Sequence, residues 1–186
     1  MKNTLVPQMI PILARWETCQ LKAYKDNDGS WHIGYGHGNA NNFPPFVDEH
    51  TVLRDEAQAM EILVGELNEI YLPQVESLFK KIDLKVNDYF YSGITDVVYN
   101  RGIGRFAGGD VGSKQYPRGS LSWNILKREQ GSKNFMERAA EALIFSHAYD
   151  FAPLDTARDK ITKIDRIHLG LTLRRAADCT LCTWIR

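Results

Sequence analysis

The chain changes period between residues 17 and 24, and that change limits what it can fold into. Residues 8 to 22 carry Ile12, Leu13, Trp16 and Cys19 at helical spacing, so a first amphipathic helix is expected, ending near Glu17 to Leu21. From Tyr24 to Gly38, glycines, aromatics and Asp/Asn residues take over, the signature of turns and short strands. A helix that gives way at once to a hairpin points to the mixed α+β class.

The rest of the chain reads mainly as helix. Asn39 to Pro45 is a polar loop closed by Pro44 and Pro45. A long helical pattern starts near Arg54 and runs through Met60, Leu63, Leu67 and Ile70, with Asp55 and Glu56 at the positive end of its dipole. Pro73 is expected to break or kink it. A second helix spans Val86 to Asn100 and stops at Gly102 and Gly104. Phe106 to Arg118 reads as a Gly-rich loop, followed by helices at about 120–129 and 134–147. Residues 150 to 167 read as loop, short helix or both. A last helix is expected after Gly170, carrying Leu171, Leu173, Ala177 and Leu181 inward. No repeat or linker tract interrupts the 186 residues, so one domain is expected.

Composition removes several classes of function. Lys+Arg and Asp+Glu both number 23, and a neutral chain carries no broad basic field for nucleic acid. No apolar stretch approaches the roughly 18 residues needed to cross a membrane, so no stable insertion is expected. The first residues, with Pro7 and Pro11 inside a short apolar segment, read as mature sequence without a signal peptide. The expected location is therefore the cytoplasm, until something else releases the protein. Three cysteines, an odd count, suit free thiols, and Cys179 and Cys182 read as small buried thiols on one helical face.

Two carboxylates bracket the change of period. Glu17 closes the helical pattern, Asp26 opens the hairpin pattern, and His32 follows six residues later. A helix end and a hairpin start hold two carboxyl groups across a groove, in different environments. Cleaving a glycosidic bond requires such an arrangement, with one acid kept protonated and one group kept basic. His32, His37, Asp26 and Glu17 lack a recognised metal-ligand spacing, so no metal and no other cofactor are expected. Gly34, Gly36 and Gly38 lack the Lys and Ser/Thr of a phosphate loop and read as hairpin glycines.

Glu17, Asp26 and the following Gly-x-x-x-Ile-Gly-Tyr-Gly-His run resemble the N-terminal signature of phage-type lysozymes, glycoside hydrolase family 24. Three later segments match in the same order. Val97-Val-Tyr-Asn100-Arg-Gly102 resembles that family's Phe-Asn-Val-Gly helix end, and Gly119-Ser-Leu-Ser-Trp-Asn-Ile-Leu the Ser-x-Leu helix after it. Gly170-Leu-Thr-Leu-Arg174-Arg175-Ala-Ala-Asp178 resembles its Gly-Leu-x-x-Arg-Arg-x-x-Glu segment, with Asp178 in place of Glu. The resemblance implies a muramidase that cuts the β-1,4 bond between N-acetylmuramic acid and N-acetylglucosamine. It also implies a lysozyme-like fold: a small N-terminal hairpin lobe of about 20–53, a connecting helix region of 54–80, and a helical lobe of 81–186 packed with helix 8–19. The substrate groove would lie between the lobes.

Carried over residue by residue, Glu17 matches the general acid and Asp26 the catalytic carboxylate. A protonated Glu17 donates to the leaving sugar oxygen, and desolvation beside Trp16 or Trp31 would raise its pKa for that task. Asp26 stays ionised and stabilises the oxocarbenium-like charge. Arg174 matches a residue on the acid's side of the groove, and Asn100 falls where the family contacts substrate or shapes the groove floor. Tyr35 is singled out among Trp31, Tyr35, Tyr99 and Phe106 as an aromatic to stack on sugar. His32 departs from the family, which usually has threonine there to hold the attacking water. Three readings stand for it: a base toward that water with inversion, a nucleophile with retention, or a loss of activity. The expected partner is the glycan strand of peptidoglycan, met by a monomer in the role of a host-lysis endolysin. The alternatives are a delivered antibacterial effector or virion lysozyme of the same chemistry, and a non-catalytic wall-binding protein that kept the fold.

Overall fold

A computed structural model of the chain describes residues 4–26, 28–148, 174, 176–180, 182 and 183. The expected segment 150–167 lies outside these residues, as do Gly170, Leu171, Leu173, Arg175 and Leu181 of the last helix. The chain divides into two compact units, Pro7–Pro73 and a discontinuous one made of Met1–Val6 with Gln74–Arg186.

The unit Pro7–Pro73 opens with helix α1, Met9–Trp16, whose Met9 and Leu13 are fully buried one turn apart. Glu17 already has extended backbone, φ −97 and ψ 111, so the helix stops short of the expected Leu21. The competing pull is sheet pairing. Strand β1, Gln20–Lys25, is flanked on one side by residues 51–53, where Ala23 N–H donates to Thr51 O and Leu53 N–H to Leu21 O. On its other side β1 pairs antiparallel with β2, Trp31–Gly34, which pairs with β3, His37–Gly38. Gly34 and Gly36, at φ +62 and +94, supply the left-handed backbone that turns β2 into β3.

Helix α2, Glu56–Glu66, starts where Asp55 caps the Gln58 amide, and it buries Ala59, Leu63 and Glu66. The helix does not break at Pro73. A π turn, Leu67–Tyr71, precedes it, with Leu72 N–H bonded to Leu67 O, and α3, Leu72–Lys81, follows directly. The wide turn absorbs the misfit of a ring that can neither donate nor fit against the turn before it. The unit boundary falls between Pro73 and Gln74.

In the second unit, α4 is Asp88–Arg101, capped by Asn87 and ended by Gly102 at φ +79. Every residue from Phe90 to Val98 is buried, which marks α4 as the core helix. Helix α5, Ile103–Ala107, runs through Gly104 into the start of the expected loop, because Phe106 is buried with its ring 5.8 Å from that of Trp123. A 3₁₀ turn, Gly108–Val111, follows. Helix α6, Leu121–Glu129, begins where Ser120 caps the Trp123 amide, and Ser122 Oγ donates to Ala139 O of α7, Phe135–Ala148. Residues 176–180 are helical and lie on α4. Cys182 is buried with its thiol directed at Phe90 O. Among the described residues no helix is long and apolar enough to cross a membrane.

Candidate active site

The register of the hairpin sets Tyr24 opposite His32 and Lys25 opposite Trp31. Side chains alternate between the faces of a strand, so Tyr24, Asp26 and His32 share one face. Lys25 and Trp31 take the other, with Lys25 Nζ 4.9 Å from the Trp31 ring centre. The turn is closed by Asp26 N–H to Ser30 O and Gly29 N–H to Asp26 O, both at 2.9 Å. Asp28 Oδ1 steadies it by accepting from Ser30 N–H.

Glu17 is half-buried at the end of α1, its N–H still bonded to Leu13 O. Two phenols feel the charge of its carboxyl group. Tyr24 has its pKa raised by burial first and then by the charges of Asp26 and Glu17. Tyr71 is pushed up to about 12, by burial first, then by Glu66, with Glu17 contributing as well. Both phenols therefore stay protonated and able to donate. Glu17, Tyr24 and Asp26 all belong to the unit Pro7–Pro73, and the Tyr24 phenol feels the charge of both carboxylates.

His32 is half-buried, and its ring lies 6.0 Å from that of Tyr24. Its Nδ1 stands 3.1 Å from Gly36 O. A carbonyl only accepts, so Nδ1 carries the proton, and a neutral ring then keeps its lone pair on Nε2. Gly38 makes room for this pose, because a Cβ there would come within 3.0 Å of His32 Cε1 and Nδ1.

Behind the hairpin lies a buried polar cluster. His37, 2% exposed, places Nε2 2.8 Å from Pro45 O and Nδ1 3.3 Å from Glu66 Oε2. Asn41 Nδ2 donates to both Glu66 Oε1 and the Tyr71 hydroxyl at 2.9 Å. Burial pulls the His37 pKa down, but Glu66 and the Pro45 carbonyl outweigh it, and the net shift is upward. His37 thus caps the Pro45 carbonyl and has a carboxylate partner on α2. The signal for Glu66 was present: it is an acid on the buried stripe of α2, between Leu63 and Leu67.

Tyr35 is 4% exposed and donates its hydroxyl to Glu56 Oε1 at 2.7 Å, so in this structure its ring faces packing rather than an open surface. Asn100 is half-buried in the last turn of α4. Arg174 is 4% exposed and forks onto Asp96 of α4, with Nη2 to Oδ1 at 2.6 Å and Nε to Oδ2 at 3.3 Å. Asp26, Asp28 and His32 bring ligand atoms within 4.8 Å of one another, with both aspartates exposed. Among the described residues this is the trio whose donors would suit a divalent cation.

The sequence profile of the phage lysozyme family matches residues 14–122, which include Glu17, Asp26, His32, Tyr35 and Asn100. No curated protein sequence matches the chain. Among solved structures, the muramidase domain of SpmX from Asticaccaulis excentricus is similar over 98% of this chain and 99% of its own, with a TM-score of 0.67 and 18% identity. An endolysin from the Escherichia coli O157:H7 phage FAHEc1 is similar over 97% of this chain and 93% of its own, with a TM-score of 0.62 and 17% identity. These likenesses establish the lysozyme-like α+β fold that the sequence led us to expect. With more than half its length matched by the profile, the chain belongs to the phage lysozyme family, a family of lysozyme-type hydrolases.

Proposed function

We propose that the protein is a muramidase that cleaves the β-1,4 bond between N-acetylmuramic acid and N-acetylglucosamine, and that it serves as a host-lysis endolysin. The observation that carries the chemistry is the placement of Asp26 and His32 on one hairpin face, their ligand atoms within 4.8 Å of each other, with Glu17 ending the helix that leads into that hairpin. Glu17 gives its proton to the leaving sugar oxygen as the bond breaks. Asp26, ionised, stabilises the positive charge that spreads over the ring oxygen and anomeric carbon. Water attacks that carbon and loses its proton to His32 Nε2, which ends as imidazolium while Glu17 ends as carboxylate. The Gly36 carbonyl supports this base reading, since it holds the other nitrogen protonated. Attack by water on the opposite face inverts the anomeric centre.

Clearing of purified peptidoglycan is the direct test. Glu17→Gln is expected to slow it by roughly 10²- to 10⁴-fold, the usual worth of a general acid. Equal clearing by both proteins would overturn the site, and no clearing by the wild type would favour a wall-binding protein without turnover. The anomeric form of the first product decides His32. A purely β product from wild type with α product from His32→Thr would sink the base reading.

A further inference from the structure

The segment between α5 and α6 is a built structure rather than slack. Ser120 N–H returns to Phe106 O at 2.8 Å, Gly109 N–H reaches Pro117 O at 3.2 Å, and Gly119 N–H reaches Tyr116 O at 3.2 Å. Gly108 and Gly119 pack backbone against backbone, both at φ +63, with no space for a Cβ at either. The segment's one acid, Asp110, is occupied by Lys127 and by the Trp123 indole. These ties hold open a cavity of about 320 Å³ in the unit containing α4 to α7.

The lining of that cavity is cationic without counter-charge. Arg105 and Arg118 line it and no carboxylate does. Arg105 is half-buried with its guanidinium 4.9 Å from the Tyr116 ring centre, and neither arginine has an ion-pair partner among the described residues. A partly desolvated guanidinium held over an aromatic ring by cation–π attraction keeps N–H donors that can take up a carboxylate bidentately. The mouth is completed by the start of α6, where Ser120 caps the Trp123 amide and the first-turn amides of Leu121 and Ser122 are orphan donors by helix geometry. Leu121, 52% exposed, adds an apolar rim.

A cavity of this size suits a ligand of two or three residues rather than an inorganic ion. We propose that it is a binding site for the carboxylates of a short acidic peptide, which on the muramidase reading is the peptide borne by the muramic acid sugar. The inference rests on that reading for the ligand's origin only. The two arginines take the carboxylates, the Tyr116 face and Leu121 take the apolar part, and the α6 amides favour the negative end.

The test uses the full chain carrying Glu17→Gln, so that nothing is cut, titrated with N-acetylmuramyl-L-alanyl-D-glutamate, whose glutamate bears two free carboxylates, and followed by amide resonances. Shifts at Tyr116, Gly119 and Leu121 are expected, with affinity at least tenfold weaker in Arg105→Gln/Arg118→Gln. A neutral N-acetylglucosamine oligomer should leave those resonances unmoved. Absence of shifts at these residues, or equal affinity in the double variant, would overturn the proposal without reference to any variant's activity. Equal binding of inorganic phosphate would also overturn it, since the cavity would then be a general anion site. Failure of the muramidase reading shows separately, as no clearing of peptidoglycan by the wild type.

Discussion

At the scale of single residues, Gly38 shows how little separates the pose of His32 from a displaced one. Its φ of −147 is ordinary extended backbone, so alanine brings no backbone strain. What the new methyl meets is the imidazole, 3.0 Å from Cε1 and Nδ1, and the Trp31 carbonyl oxygen at 3.2 Å. The ring must then tilt away from the Gly36 carbonyl. Gly38→Ala is expected to lower turnover roughly ten- to a hundredfold with a small loss of thermal stability from the Trp31 carbonyl, and to lower turnover little further in a His32→Thr background. A double-mutant cycle on turnover checks this, and additive losses would mean that Gly38 acts elsewhere. The pair of His37 and Glu66 makes a different demand, on stability. The folded pKa of His37 lies above its ordinary value of about 6.5. The stabilisation from a charged His37 is therefore complete below about pH 6.5 and is lost as pH rises through the higher folded value. Glu66→Gln is expected to cost about 3–5 kcal/mol at about pH 5.5 and clearly less at about pH 9. Urea denaturation at the two values measures the gap, and a gap independent of pH would mean that the imidazole stays neutral throughout.

At the scale of elements, the helix caps were open to reading and the tertiary pairings were not. Asn87 and Gly102 bracket α4, and Ser120 starts α6, because capping chemistry is local and leaves its mark within three residues. The early start of β1 at Gln20 depends on residues 51–53, thirty positions away, so the helical spacing through Cys19 misled. Likewise Pro73 advertised a misfit, but not that the chain would widen one turn to keep the helix going. The contact of α4 with the C-terminal residues was half legible. Cys182 was recognisable as a small buried thiol. That it seats against Gly93, with Asp178 O on the same glycine and Arg174 on Asp96, shows only in the packing. Cys182, Asp178 and Arg174 meet Phe90, Gly93 and Asp96 in reverse order, so the two segments run antiparallel. A methyl on Gly93 would overlap the Cys182 sulfur. Gly93→Ala is expected to cost about 1–3 kcal/mol by overpacking. Adding Cys182→Ala should return part of that loss in thermal denaturation, and no recovery would place the clash on the Asp178 backbone instead.

At the scale of the whole molecule, legibility followed distance along the chain. Glu17, Asp26 and His32 stand within sixteen residues, in one unit, and the roles proposed for them rest on a single run. Arg174 and Asp96 are 78 positions apart, and no local pattern announces a buried ion pair of that span. The same holds for the discontinuous unit, in which Met1–Val6 joins Gln74–Arg186 and leaves Pro7–Pro73 as an insertion between them. The ties are specific. Thr4 donates from both its amide and its hydroxyl to the Asp88 carboxylate at the start of α4, and Val6 N–H donates to Ser92 Oγ at 2.9 Å. The Val6 side chain is buried as well. Burial of a valine contributes about 1.5–3 kcal/mol and each exposed or buried hydrogen bond up to about 1 kcal/mol. A chain that begins at Pro7 is therefore expected to lose about 3–5 kcal/mol, a large share of the roughly 5–15 kcal/mol that holds a domain. The loss belongs to the unit that contains α4. Hydrogen exchange should quicken first in residues 88–95, while the amides of β1 to β3 in Pro7–Pro73 keep their protection. Equal quickening of both units would mean that they open as one body and that the first residues secure the whole fold rather than α4.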